Sequence, residues 1–252
     1  MSRRRPDAAP AVALERVATI ARQLGDFRSR VVFIGGSIAP LLHTHPTLGR
    51  PRPSKDVDAV VATSRTSNIS AIDETLRSLG FRSDPIQSGQ MHRWISPDET
   101  NFDVVAAGTR PGGRDNPWDT VAVEASTRTE LEPGLFVRHA TATGFLALKF
   151  AAFTDRGQDN FWASHDLEDI VALLASRPSL MGELSNDNAK LQLFIASRAT
   201  AFLAKAGDDL DEIVDWYLAR DHTTRALRQH TIDQLYAMTG GNREQGTGNG
   251  ER

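Results

Sequence analysis

The stretch Val31–Val61, VVFIGGSIAPLLHTHPTLGRPRPSKDVDAVV, predicts two buried strands joined by a glycine turn, a short helix and a loop. Its first four residues are a continuous apolar run bounded by turn residues, which is typical of a buried strand. Gly35, Gly36 and Ser37 follow at once, before the helical stretch Ile38–His43. Glycines at such a junction let backbone N–H groups approach an anion, and the serine adds a hydroxyl donor. A phosphate-binding turn is one interpretation, and an ordinary tight turn is the other.

The second strand of this stretch carries two carboxylates. Asp56 and Asp58 stand at the head of the apolar run that ends at Val61, and side chains two apart on a strand point to the same face. Two carboxylates on one face of an apolar strand are costly unless they are solvated, paired or bound to metal. Hard oxygen ligands suit Mg²⁺. The pair therefore predicts a metal-binding edge of a sheet.

A third carboxylate comes from a later predicted strand, Asn101–Ala106. Side-chain alternation places Asp103 opposite Phe102 and Val104, at the rim of the sheet. A third acidic residue from a neighbouring strand would complete a metal cluster. The alternative is a solvent-facing aspartate on an edge strand.

The helix predicted from Thr141 or Thr143 to about Thr154 carries basic residues. Lys149 and Arg156 are seven positions apart, which puts them on one face if the helix reaches Arg156. Two cations on one face can hold phosphates, lysine as a point charge and arginine as a fork. A solvated basic stripe is the alternative.

The following helix, His165–Ser176, has Ser164 as its predicted N-cap. Asp166 and Asp169 border its apolar face, and either could pair with the basic residues of the preceding helix or hold an attacking group. Acidic residues also favour the first turn of any helix, which is the simpler explanation.

The rest of the chain predicts an α+β protein, with a mixed β-sheet core flanked by helices and a C-terminal helical region. We predict a disordered N-terminus (1–10), an α/β core (11–140), a helical domain (141–239) and a disordered tail (240–252). The remaining predicted strands are Phe81–Ile86, Met91–Ile95, Val121–Ala125 and Leu135–His139. The remaining predicted helices are Ala11–Leu24, 67–80, 186–204, 208–219 and 222–238.

Composition narrows the functional classes. The 252 residues include no cysteine, which excludes disulfides, cysteine-ligated zinc and thiol catalysis. The formal net charge of -3 gives no global basic field for nucleic acid or anionic membranes. No apolar run approaches the roughly 20 residues of a membrane helix. We expect a cytoplasmic protein without membrane contact.

Taken together, these residues resemble the nucleotidyltransferase (DNA polymerase β-like) superfamily, and within it most closely the AbiEii/MenT-type nucleotidyltransferase toxins. Its first motif is matched by Gly35-Gly36-Ser37 and continues through Arg52-Pro53-Ser54-Lys55-Asp56-Val57-Asp58. Asp103 corresponds to its third carboxylate. The later motifs are matched by Lys149, Ala152 and Arg156, and by the run Ser164–Ile170. The resemblance covers roughly residues 30–177, with a longer segment between Ser37 and Asp56 than many members have.

This resemblance implies a specific site. Asp56, Asp58 and Asp103 would hold two Mg²⁺ ions and act in catalysis together with Lys149 and Asp169. The residues expected to bind the nucleotide are Gly35, Gly36, Ser37, Lys55, Lys149, Arg156 and Asp166. Asp169, or else Asp166, would serve as general base or orient Lys149.

The implied reaction moves a nucleoside monophosphate from an NTP to an acceptor hydroxyl and releases pyrophosphate. A toxin acting on tRNA, with a cognate antitoxin as partner, is the first expectation. The alternatives are a small-molecule transferase of the antibiotic-modifying kind, a protein AMPylase, and a non-catalytic nucleotide-binding or antitoxin-like module. The sequence predicts neither the oligomeric state nor which NTP is used.

Overall fold

A seven-stranded mixed sheet forms the centre of the protein. The computed structural model describes residues 8–45, 51–61, 69–84, 93–107, 117–156, 160–218 and 224–240. The strands are β1 (Val31–Ile34), β2 (Val57–Val61), β3 (Arg82–Ser83), β4 (Arg93–Ile95), β5 (Asn101–Ala106), β6 (Thr127–Glu132) and β7 (Leu135–His139). Their spatial order is β3-β4-β5-β2-β1-β7-β6. The predicted α+β class is confirmed.

The centre of this sheet is where the site forms. Strand β1 pairs antiparallel with β2 and parallel with β7, and β2 pairs parallel with β5. All four residues of β1 are buried, as its continuous apolar run predicts. In β5 the burial alternates residue by residue, so Phe102 packs into the core while Asp103 stays half-buried on the other face.

Helices cover the sheet and continue beyond it. They are α1 (Ala8–Gln23), α2 (Ala39–Leu42), α3 (Ile69–Ser78), α4 (Pro117–Glu124), α5 (Ala142–Arg156), α6 (His165–Ser176), α7 (Leu180–Ser185), α8 (Ala189–Ala206), α9 (Leu210–Leu218) and α10 (Arg225–Met238). Helix α5 packs against α4, α6 and α8, while α6 also packs against α9 and α10. A single hydrophobic core runs from Val17 in α1 to Met238 in α10, so sheet and C-terminal helices share one interior.

Side-chain caps begin α5, α6, α8 and α10, the last through Thr224. The Ser164 hydroxyl accepts a hydrogen bond from the Leu167 N–H at 3.2 Å, which confirms the predicted cap of α6. Thr141, the residue before α5, accepts from the Gly144 N–H in the same way. Asn188 does this for α8. The capped starts fix the two helices that carry the predicted charged residues.

The predicted strand Val121–Ala125 is wrong, because Pro117–Glu124 is helix α4. A short apolar run such as Val121-Ala122-Val123 fits either element, and the packing decides. Proline suits the first turn of a helix, and the Trp118 ring stacks on Phe194 of α8 with centroids 4.2 Å apart. Strand β6 and helix α7 were not predicted.

The predicted disordered terminus 1–10 is wrong for its last three residues, because α1 begins at Ala8. Residues 1–7 and 241–252, which carry most of the predicted disorder, lie outside the described residues. The two-domain division at residue 140 stays a prediction. None of the helices in the described ranges is both long and apolar enough to span a bilayer.

The loop that enters β2 is held at both ends. On its first side, the His45 N–H donates to the Ser176 carbonyl at 2.8 Å, and the His43 ring pairs with the Ser176 hydroxyl at 2.7 Å. On its last side, the Arg16 guanidinium donates to the Ser54 carbonyl. Ser176 ends α6 and Arg16 lies in α1, so two helices fix the loop across its described residues.

Candidate active site

The glycine turn after β1 lies directly against the carboxylate of Asp58. The antiparallel register places Ile34 opposite Asp58, and Gly35 follows with a φ of 72°. A Cβ added to Gly35 would stand 2.1 Å from Asp58 Oδ2. A larger residue would therefore collide with the aspartate and be strained in the left-handed region. This contact explains why glycine stands at position 35.

The turn itself differs in detail from the predicted helix Ile38–His43. Gly36–Ile38 forms one turn of 3₁₀ helix, and the α-helix begins only at Ala39. The Ser37 side chain is buried, with its hydroxyl 3.4 Å from the Ile34 carbonyl. The predicted phosphate turn is therefore a tight backbone loop beside a carboxylate.

The three predicted carboxylates come together at one edge of the sheet. Strand pairing puts Asp58 directly beside Asp103, since the two are register partners in β2 and β5. Asp56 stands just before β2, and its Oδ1 accepts a hydrogen bond from the Asn101 Nδ2 at 2.9 Å. The sequence spacing and the strand order therefore concentrate three negative charges in a small volume.

An arginine that the sequence analysis missed lies among these carboxylates. Arg93 Nε donates to Asp103 Oδ1 at 2.8 Å, and its Nη2 donates to Asp103 Oδ2 at 2.6 Å. The same Nη2 lies 3.3 Å from Asp56 Oδ2. The hydrogen bond from Arg93 to Asp103 raises the pKa of the guanidinium, so the arginine stays charged. We call Arg93, Asp56, Asp58 and Asp103 the sheet cluster.

Asp58 differs from the other two aspartates of the sheet cluster. Within the described residues its carboxylate has neither a hydrogen bond nor an ion pair. Burial, followed by the charges of Asp103 and Asp56, raises its pKa to about 6, while Lys149 and Arg52 oppose that rise. Asp58 is thus the carboxylate best placed to accept a cation from outside.

The predicted charged residues of α5 and α6 form a second group. Lys149 Nζ lies 2.6 Å from Asp169 Oδ2 and 3.1 Å from Asp166 Oδ1, and all three side chains are buried. Burial alone would lower the pKa of Lys149, but the two carboxylates outweigh it and the pKa is raised. The lysine is therefore a fixed, buried cation.

Arg52 joins this second group to the glycine turn. Its Nε lies 3.2 Å from Asp169 Oδ1, and its Nη2 lies 3.1 Å from where a Gly36 Cβ would stand. The missing side chain of Gly36 thus gives the guanidinium room above the turn. We call Lys149, Asp166, Asp169 and Arg52 the helix cluster. Arg52 was part of the matched motif, but the sequence analysis gave it no role.

Two predicted nucleotide-binding residues, Lys55 and Arg156, remain to be placed. Lys55 is exposed on the turn before β2. Arg156 is the last residue of α5, and its side chain lies outside the described part of the structure. The role of each stays a prediction.

Asp58 links the two clusters, because it belongs to the sheet cluster and its charge is affected by Lys149 and Arg52 of the helix cluster. The Gly35 turn contacts Asp58, Asp103 flanks it in the sheet, and Lys149 and Arg52 lie close enough to act on its charge. Across the described residues, no group of three or more acidic or histidine side chains is arranged to hold a metal ion by itself.

Comparisons with known proteins add little to this geometry. No protein-family model matches the chain, and the search of curated proteins finds no significant match. Among solved structures, the chain is similar to the crystal structure of an antigenic nucleotidyltransferase-like protein from Paracoccidioides brasiliensis, with 21% identity and a TM-score of 0.46. The match covers 81% of this chain and 92% of that one. A likeness of this size carries no argument about activity, so the function is argued from the site.

Proposed function

We propose that this chain is a nucleotidyltransferase, which moves a nucleoside monophosphate from an NTP to an acceptor hydroxyl and releases pyrophosphate. The observation that carries the proposal is the position of Asp58. It touches a tight glycine turn on one side, neighbours Asp103 on the next strand, and faces the cations Lys149 and Arg52. Carboxylates for a metal and cations for phosphates thus meet at one point.

The residues present suit a Mg²⁺ ion held together with a substrate. Mg²⁺ is usually bound by one or two carboxylates plus substrate phosphates and water. Asp56 and Asp58 would be these carboxylates, because Asp58 has no hydrogen-bonding partner in the described residues and Asp56 keeps unused lone pairs. When bound, the metal would offset negative charge on the α-phosphate and polarise the acceptor oxygen.

The helix cluster would bind the triphosphate. Lys149 and Arg52 supply two positive charges near the Gly35–Gly36 turn, and Asp169 holds both of them in position. Asp169 is almost completely buried between two cations, so its role is to orient Lys149 and Arg52. The sequence analysis left two roles open for Asp169, general base or orienting group, and we propose the second.

The transfer step is a substitution at the α-phosphorus. An acceptor oxygen forms a bond to the α-phosphorus, and the bond from that phosphorus to the α–β bridging oxygen breaks. Pyrophosphate leaves with the electron pair, and the hydroxyl proton passes to a carboxylate of the site or to water. Positioning and electrostatic stabilisation account for most catalysis in phosphoryl transfer, which agrees with a site made of fixed charges.

For the acceptor we propose tRNA, with a cognate antitoxin as a partner. The support is the resemblance of the Gly35–Ser37, Asp56–Asp58 and Lys149 segments to the AbiEii/MenT-type toxins. One observation favours a small-molecule acceptor instead. The net charge of -3 provides no basic field to attract RNA.

The test incubates the protein and Mg²⁺ with each of the four α-labelled NTPs, with total tRNA, and separately with a panel of aminoglycosides. We expect label on tRNA with one NTP, and at least about a hundredfold loss in Asp58→Asn because the metal and transition-state charge lose a carboxylate. Asp73→Asn, on helix α3 and outside both clusters, is the matched control. Label on aminoglycosides or on the protein itself would show that the acceptor is that molecule and not tRNA. No label or NTP turnover under any condition would overturn the activity.

A further inference from the structure

Arg93 occupies the position between two of the three carboxylates that a two-metal site would use. We propose that it is the built-in cation of this site, so that Asp103 anchors Arg93 and a single metal ion binds at Asp56 and Asp58. This inference rests on the proposed nucleotidyl transfer. It differs from the two-ion site that the resemblance implies, because it reassigns Asp103 from metal ligand to positioning residue.

The backbone fixes the contact between Arg93 and Asp103. Strands β4 and β5 are antiparallel neighbours, and Arg93 is the register partner of Asp103. Side chains directly opposite each other in such a pair lie about 4.5–5.5 Å apart at Cβ and point to the same face. The arginine therefore reaches Asp103 because of the strand register, without needing a flexible loop to bring it there.

The geometry of the pair uses both carboxylate oxygens of Asp103. Nε and Nη2 of Arg93 take one oxygen each, at 2.8 and 2.6 Å. A two-point fork of this kind is the strongest form of arginine–carboxylate contact. A metal ion that bound Asp103 would have to displace a cation that is already held at two points, at a position where two like charges repel each other.

Asp56 and Asp58 make weaker contacts with Arg93 than Asp103 does. The Arg93 Nη2 reaches Asp56 only at 3.3 Å, and the other Asp56 oxygen accepts from Asn101. Asp58 has no partner among the described side chains. With phosphate oxygens as further ligands, these two carboxylates can hold one ion. The guanidinium already supplies one of the two positive charges that a second divalent ion would bring.

Arg93 also keeps donors for a substrate. A guanidinium has five N–H donors, and the contacts to Asp103 and Asp56 use only those on Nε and Nη2. The two N–H groups on Nη1 make no hydrogen bond within the described part of the chain. They can donate to a phosphate oxygen while the rest of the guanidinium stays on Asp103.

The test counts bound metal, independently of turnover. Mn²⁺ is titrated into the full chain with each of the four α,β-methylene NTPs, which bind without reacting, and bound ions per chain are counted by electron paramagnetic resonance. We expect one Mn²⁺ per chain in the wild type and in Asp103→Asn. We expect two in Arg93→Gln, because Asp103 is then released to bind an ion. Arg82→Gln, on the neighbouring strand and paired with exposed Glu99 among the described residues, is the matched control and keeps one.

Other outcomes decide against the proposal. Two ions in the wild type, falling to one in Asp103→Asn, would make Asp103 a metal ligand. One ion in Arg93→Gln would show that the arginine is not what excludes the second ion. If Arg93→Gln fails to fold, Arg93→Lys keeps the charge without the fork, and we expect one ion with about tenfold weaker nucleotide binding; two ions there would also overturn the proposal. Failure of every variant to bind Mn²⁺ with nucleotide would instead refute the proposed nucleotidyl transfer.

Discussion

The sheet cluster and the helix cluster differ in how their positive and negative charges are balanced. In the helix cluster two carboxylates meet two cations, and the Lys149 and Asp169 side chains are almost completely buried. In the sheet cluster three carboxylates meet only one cation, and the ion-paired side chains of Arg93 and Asp103 are 20% and 26% exposed. A cluster with equal numbers of positive and negative charges tolerates burial, whereas a cluster with excess negative charge needs water or a further cation.

This difference assigns separate tasks to the two halves of the site. The helix cluster has equal numbers of positive and negative charges, so its two carboxylates can hold both cations in place for the proposed triphosphate. The sheet cluster carries an excess of negative charge, which suits the metal ion of the proposed reaction. Four substitutions test the contrast, from the largest expected effect to the smallest.

Lys149→Met should destabilise the protein most. It leaves Asp166 and Asp169 buried without the lysine, and breaking a buried pair costs about 3–5 kcal/mol. We expect the melting temperature to fall by roughly 10 °C, measured by calorimetry. The matched substitution Arg93→Met should cost about 1–2 kcal/mol, because water reaches its partners.

The control for this prediction is Lys190→Met, an exposed residue of α8 with an expected change near zero. Equal losses in Lys149→Met and Arg93→Met would show that the two clusters do not differ in the way described.

Gly35→Ala should destabilise the protein through two effects. The left-handed φ costs about 1–2 kcal/mol for a non-glycine residue, and the collision with Asp58 adds about 1–3 kcal/mol. Gly134→Ala separates them, because Gly134 has a φ of 80° but open space around it. Urea unfolding should show a clearly larger loss in the free energy of unfolding for Gly35→Ala. Equal losses in the two variants would show that the contact with Asp58 does not contribute.

Asp58→Asn should stabilise the metal-free protein at neutral and alkaline pH. The pKa of Asp58 is raised from 3.8 to about 6, so the folded state binds this proton more tightly than the unfolded state. Stability from this group is therefore present at low pH and lost as pH rises through about 6. Asparagine keeps the neutral form, so we expect a gain of about 1–3 kcal/mol at pH 8.

The measurement is thermal unfolding in a chelator at pH 4 and pH 8. No gain is expected at pH 4, where wild-type Asp58 is largely protonated in the folded state. A gain of the same size at both pH values would mean that charge on Asp58 is not the cause.

Ser164→Ala should have the smallest effect on stability. Loss of the cap hydrogen bond costs about 1 kcal/mol, and Thr224→Ala, which removes the cap of α10, should cost the same. Only Ser164→Ala should also weaken NTP binding, because α6 carries Asp166 and Asp169. Calorimetric titration with each NTP checks this. Equal affinities in the two variants would show that the position of α6 does not affect NTP binding.

The sequence predicted much of the site because its parts are local. The strand β1, the glycine turn and the Asp56–Asp58 pair lie within one short stretch with clear apolar runs. The Lys149 and Asp169 helices have regular spacing and a serine cap. These features depend on periodicity and turn chemistry, which one chain shows directly.

The missed residues depend on contacts between distant parts of the chain. Arg93 meets Asp103 through the register of β4 and β5, and the only sequence signal is that both are equally far from Asp98 in the intervening turn. Arg52 lies in a proline-rich loop whose direction no periodicity reveals. Helix α4 was assigned as a strand because the stacking of Trp118 on Phe194 is a tertiary contact.

The loop before β2 is attached at both of its ends, which affects how the site can change during evolution. Its start is tied to the end of α6 and its finish to α1, through Ser176 and Arg16. Residues inserted between His45 and Pro51 change neither attachment and keep Arg52 two residues before Ser54, and each doubling of a loop's length costs only about 0.6 kcal/mol. The length of this loop can therefore change between related proteins while Asp56 and Asp58 stay in place.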